Sequence, residues 1–237
     1  MSWHLGRLCG FDLETTGVDV EADRIVTACV VQCGGKQPTV SADWLADPGI
    51  DIPAEAADVH GISTEKARAD GRPAPEVVAE VLAALGQIIT AGIPVVAMNA
   101  RFDLTMLDRE AARYGLEPLP ADFPVVDVLV LDKHYDRYRK GSRTLTALCE
   151  RYEVRLDNAH SSDADALAAC RIAWRLGQTY QRIGEATLED LHTSQITWAR
   201  KQAESLAAYF ARTPGKEHQA ATVRAEWPLI PRQKNGA

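Results

Sequence analysis

Along the first fifty residues, apolar positions come in short bursts separated by polar breakers. Residues 7–14 alternate and then turn apolar through Leu8, Cys9, Phe11 and Leu13 before Thr15-Thr16-Gly17. That is the pattern of a strand ended by a residue tolerant of unusual dihedrals. Residues 24–33 are rich in Ile and Val and read as a second strand. Residues 39–45 read as a third, closed by Asp47-Pro48-Gly49. Three consecutive strands predict an antiparallel portion of a sheet.

The period then changes. After His60-Gly61-Ile62, Ser63 or Thr64 can cap a short helix, and Pro75 can open a longer one. In the longer one Val77, Val78, Val81, Leu82, Leu85, Ile88 and Ile89 share a face, and Gly92 stops it. Residues 93–97 are wholly apolar, as in a strand buried on both faces. A helix over 101–114 follows, ended by Gly115. Val125 and Val126 predict a further strand, 127–131 a helix start, and 144–152 and 162–180 two more helices. This order gives an α/β layer with a mixed sheet of about five strands, the first three antiparallel, flanked by α-helices. From Thr187, the residues Ile196, Ala199, Ala203, Leu206 and Phe210 mark an amphipathic helix. Thr213-Pro214-Gly215 then opens a polar tail to Ala237, expected to be mobile or laid over the surface.

Composition narrows the class. With 237 residues, 46% hydrophobic and 25% charged, the chain suits one globular domain with a terminal extension. No stretch is apolar enough to span a bilayer, and the start, Met1-Ser2-Trp3-His4, is too polar for a signal peptide; the expectation is a cytoplasmic protein without a membrane partner. Five cysteines, an odd number, point to buried thiols in a reducing compartment. Cys29 and Cys33 have no second pair of ligands at zinc spacing. The net charge of -7 argues against coating duplex DNA, which needs a broad basic face. It leaves room for a nuclease, whose acids attract cations that in turn attract phosphate.

Four acids and one histidine stand out. Asp12 and Glu14 leave one face of the first strand at its end. Like charges held that close are most simply compensated by a divalent cation. A second such pair, Asp19 and Glu21, falls in a turn and reads as solvated. Asp103, in Asn99-Ala100-Arg101-Phe102-Asp103, sits where a buried strand gives way to a helix. There a carboxylate either complements the helix dipole or serves a ligand site. His160 precedes Asp165 by five residues across a loop-to-helix junction, with Asp163 between them as a surface acid.

Together these elements resemble the DEDDh (DnaQ-like) exonucleases, the family of the epsilon proofreading subunit of bacterial DNA polymerase III, ribonuclease T and oligoribonuclease. The resemblance runs from about residue 7 to residue 176. It also takes in Asp12-Leu13-Glu14-Thr15-Thr16-Gly17, His60-Gly61-Ile62, Asn99 with Phe102-Asp103, Thr144-Leu145 with Leu148, and Ala159-His160 with Asp165-Ala166. Met98 stands where many relatives have a histidine. The resemblance implies a ribonuclease H-like fold and 3′-to-5′ hydrolysis of nucleic acid. Asp12, Glu14, Asp103 and Asp165 would hold two Mg²⁺ or Mn²⁺ ions and His160 would be the general base. Thr15, Thr16, Gly17 and His60 would border the terminal nucleotide, with Asn99 and Phe102 as further substrate contacts.

The expected substrate is the 3′ end of single-stranded or frayed DNA. An exoribonuclease of the ribonuclease T or oligoribonuclease type, acting on RNA, is the alternative. A third reading is a proofreading subunit held in a polymerase or repair complex through a C-terminal region, 183–237, that follows an exonuclease domain over 1–182. Trp227 is either the docking residue of that region or packs back on the domain. Lys133, Arg137, Arg139, Lys140 and Arg143, around Tyr135 and Tyr138, form either a single-strand contact or a solvated loop.

Overall fold

The computed structural model describes residues 2–156 and 161–232. Its sheet has the order β4-β3-β2-β1-β5-β6. Strands β1 (Arg7–Thr15), β2 (Ile25–Gly34) and β3 (Val40–Asp47) form the expected antiparallel meander. Next come α1 (Ala54–His60), which no pattern announced, and α2 (Thr64–Asp70), capped by the Ser63 hydroxyl. Strand β4 (Arg72–Pro73) pairs parallel to β3 and is too short for any periodicity to reveal. Helix α3 (Ala74–Thr90) leads to β5 (Val95–Ala97), α4 (Ala100–Arg113) leads to β6 (Val125–Asp127), and both strands lie parallel to β1. Helices α5 (Val128–Tyr135), α6 (Leu145–Arg151), α7 (Ser162–Thr179), α8 (Gln181–Gly184) and α9 (Leu188–Arg212) complete the order. The layers are those of a ribonuclease H-like α/β fold.

Alternation along β1 divides the core. Cys9, Phe11 and Leu13 face α3 and α4. Leu8 lies on the opposite face, with Val96, Val126 and the α7 residues Ala169, Cys170 and Ile172. Gly10 shares the parity of Leu8, and a Cβ there would stand 2.3 Å from the carbonyl oxygen of Ala166. Only glycine lets α7 approach β1 this closely.

The C-terminal region is integral to the packing. At the open edge of β6 the Gln195 side chain stands in for a neighbouring strand. Its Nε2 donates to the Val125 carbonyl, and its Oε1 accepts from the Asp127 amide, both at 2.8 Å. His192 Nδ1 accepts from the Val125 amide at 3.2 Å. Both edge residues are thereby satisfied, which removes a site for unwanted strand pairing. The expected apolar stripe holds at Ala203 but not at Leu206, which is 43% exposed. Ile196 and Ala199 of that stripe also pack on the core, and Leu191 and Gln195, both fully buried, fix the helix further.

The tail is laid over the domain. Trp227 is buried and donates to Asp127 Oδ2 at 3.0 Å. The Ile230 amide donates to Thr105 Oγ1, and Arg232 grips Asp108. The carbonyl oxygens of Ile230 and Pro231 accept from Arg109. Of the two readings of Trp227, this geometry is that of a residue packed back on its own domain. Ile183, Leu191 and Trp227 thus belong to the two cores.

Candidate active site

Asp12 and Glu14 share the face of β1 that meets α7, and Asp165 sits in the first turn of α7. One carboxylate oxygen from each of these three lies within 4.8 Å of the others. Gly10, two residues before Asp12, sets the approach of α7 and therefore this spacing. A register shift between Glu14 and Thr15 ends the regular ladder just beyond the acids, a common way of re-aiming side chains at a strand end.

Asp103 comes from the other side of the sheet's end. It is buried in the first turn of α4, which begins after Asn99 in the left-handed conformation (φ 68°). Burial holds its carboxyl well above the usual carboxylate range; backbone N–H groups of Asp103 and Leu13 oppose this, and the charges of Asp127 and Glu14 add to it. Burial likewise pushes Asp12 well above its ordinary value, reinforced by Asp103, Asp165 and Glu14 in that order. The Glu14 carboxyl is pushed up to about 7, first by burial and then by Asp165. Among the described residues, the charges that act on Asp12 and Glu14 are those of other acids. The donor set is all hard oxygen and mutually repelling, which fits a divalent metal ion.

The predicted substrate residues ring this end of β1. Thr16 is buried, and its hydroxyl is committed to Asp23 Oδ1 at 2.8 Å and to the Arg24 amide at 3.0 Å. Its backbone amide is engaged as well, donating to the Arg24 carbonyl at 2.9 Å. Thr15 Oγ1 donates to the Gly17 carbonyl at 2.6 Å, so this turn is internally braced. His60 ends α1 and accepts from the Ile62 amide through Nδ1. Burial lowers its pKa, and the Thr15 carbonyl offsets part of that, which places the ring against the end of β1. Phe102 packs on the α3/α4 core, and the Asn99 amide donates to Asp127 Oδ1 at 3.1 Å. Asp163 is exposed, as expected of a surface acid. His160 lies outside the described residues.

Asp127 was expected only as a helix start, yet it is the hub beside this site. It is buried, and it accepts from the amides of Asn99, Leu129 and Val130 and from the Trp227 indole. Its position before an apolar helix carried the capping signal; its long-range partners Asn99 and Trp227 had none.

A family model described as "Exonuclease" matches residues 9–173. The chain belongs to this exonuclease family. The DEDDh 3′-to-5′ type read from its motifs is thereby supported, and the acid cluster is compatible with the metal dependence normal in the family. The exonuclease chain is 27% identical over 188 residues to the PolC-type DNA polymerase III of Caldanaerobacter subterraneus, which covers 79% of this chain and 13% of that protein. It is also 27% identical over 182 residues to the PolC-type DNA polymerase III of Listeria welshimeri, covering 77% and 12%. The chain thus spans only a small fraction of the length of these relatives. Its fold is similar to that of E. coli exonuclease I in complex with a dA16 oligonucleotide, with a TM-score of 0.63 and 18% identity over 85% of this chain and 45% of that one. All of α9 and the tail lie beyond the family match.

Proposed function

We propose that the chain is a metal-dependent 3′-to-5′ exonuclease that releases nucleoside 5′-monophosphates from single-stranded or frayed DNA. The observation that carries this reading is the convergence of Asp12, Glu14 and Asp165 within 4.8 Å, in a chain of the exonuclease family. Asp12, Glu14, Asp103 and Asp165 would hold two Mg²⁺ or Mn²⁺ ions. When bound, such ions supply Lewis-acid activation of water and charge stabilisation at the leaving 3′ oxygen.

The remaining steps belong to side chains and backbone. His160 takes the proton from the attacking water. The internally braced turn at Thr15, Thr16 and Gly17 borders the terminal nucleotide. His60, whose pKa burial lowers, borders the same nucleotide. Asn99 and Phe102 position the α4 start that carries Asp103.

The PolC-type relatives favour a second reading in which the same chemistry serves proofreading beside a polymerase. The burial of Trp227 against Asp127 removes the residue first suited to docking from the available surface.

A 5′-labelled single-stranded oligonucleotide with Mg²⁺ or Mn²⁺ should yield a ladder and nucleoside 5′-monophosphates. Asp12→Ala should abolish the ladder. Absence of hydrolysis on both DNA and RNA, with either metal, overturns the proposal; matched DNA and RNA oligonucleotides compared side by side separate the deoxyribonuclease from the exoribonuclease.

A further inference from the structure

A groove of about 920 Å³ opens at the carboxyl ends of β5 and β6, between α5 and α9. Asn99 and Arg101, at the start of the helix that carries Asp103, line one end of it. The groove therefore adjoins the acid site, on the side where parallel strands of α/β folds present ligand groups. Its far wall is α9, which lies wholly outside the family match.

The charge of the groove is opposite to that of the chain. Arg101, Lys133, Arg137, Arg143 and Lys201 line it, against Glu204 and the fully engaged Asp127. The structure divides the basic segment of residues 133–143 into two groups. Arg139 and Arg143 are tied to the buried Asp132, whose other oxygen accepts from the Tyr152 hydroxyl. Tyr135 is packed against Trp198 and Tyr180. Lys133, Arg137 and Lys201 form no ion pair with any described residue and point their charge at the groove. Lys133 is only half exposed, and burial lowers its pKa, so an unpaired ammonium is held there at a cost that an anion would relieve. Tyr209, 52% exposed, stands on the same wall as a face on which a base can stack.

We propose that the α5–α9 groove binds the phosphate backbone of a nucleic-acid single strand upstream of the 3′ end being cut, through Lys133, Arg137 and Lys201. This rests on the exonuclease reading for its direction, but binding itself can be measured without turnover. A single strand is favoured over an acidic protein because cations are spaced along one groove with an exposed aromatic ring beside them.

The test is fluorescence anisotropy of a 5′-labelled single-stranded oligonucleotide in EDTA across a salt series. It uses the full chain, the double variant Arg137→Glu/Lys201→Glu, and Lys36→Glu as a charge control. Lys36 lies in the turn after β2, at the opposite end of the sheet from Glu14. Each phosphate contact contributes about 0.7 to the slope of log K against log salt for a single strand. The double variant should lower that slope by about 1.4 and weaken binding about tenfold at moderate salt, while Lys36→Glu leaves both in place. If the double variant moves no more than Lys36→Glu, the groove is not the path of the strand. If the wild-type chain binds an acidic peptide in the groove at least as tightly as the oligonucleotide, the ligand class is wrong. Loss of the exonuclease reading would appear separately, as absence of nucleoside monophosphates when metal is restored.

Discussion

Replacing Glu14 with glutamine should stabilise the metal-free protein while removing its activity. The Glu14 carboxyl is pushed from an ordinary 4.5 to about 7 by burial and by Asp165. A carboxyl whose folded pKa is raised favours the folded state most when protonated. That contribution is complete below about pH 4.5 and is lost as pH rises through about 7. The full difference corresponds to about 3 kcal/mol, and screening at a partly exposed carboxyl reduces it to about 1–2 kcal/mol. Glutamine keeps the shape and never ionises. In EDTA at pH 8, Glu14→Gln should therefore melt about 2–8 °C above wild type for a domain of this size, and the gap should close towards pH 4.5. Partly buried histidines such as His60 and His192, whose pKa values are lowered, add an acid instability of their own; it is common to both proteins and cancels in the difference. With Mg²⁺ or Mn²⁺ added, wild type should gain more than the variant. Melting curves that place Glu14→Gln at or below wild type in EDTA at pH 8 would show that the acids are not held in uncompensated repulsion.

Gly10→Ala should drive α7 from β1, costing about 1–3 kcal/mol or more and weakening Mn²⁺ binding measured by calorimetry, because Asp165 moves with the helix. Trp227→Ala should cost about 3–5 kcal/mol in denaturant unfolding, since it removes a buried ring and the indole N–H held by Asp127. Gln195→Leu should cost about 1–3 kcal/mol for each backbone group it strands at the β6 edge, and light scattering should show a new tendency to associate. A Gln195→Leu protein as stable and monodisperse as wild type would refute the edge-covering role.

Much of the architecture was legible along the chain because local chemistry produces it. Alternation at Cys9, Phe11 and Leu13 sets a strand, and the stripe from Val77 to Ile89 sets a helix. Ser63, Thr144 and Thr187 cap their helices through their side chains, as residues of that kind do. Elements without a local signature escaped: β4 has two residues, and α1 buries no side chain fully. The acids were visible through spacing and family likeness, but Gly10, which sets their distance, carries no chemistry of its own.

The sequence by itself determined which stretches are strands and helices, which faces are apolar, and which acids stand at element ends. Those properties depend on side-chain periodicity and on the conformational limits of neighbouring residues. Only the tertiary structure decided that Asp165 meets Asp12 and Glu14, that Asp127 joins Asn99 to Trp227, and that Arg139 and Arg143 serve Asp132 while Lys133, Arg137 and Lys201 remain for a ligand. Each of these depends on contacts between residues far apart in the chain, chosen by how whole elements pack and by the need to satisfy every buried polar group, and no local pattern specifies such a choice.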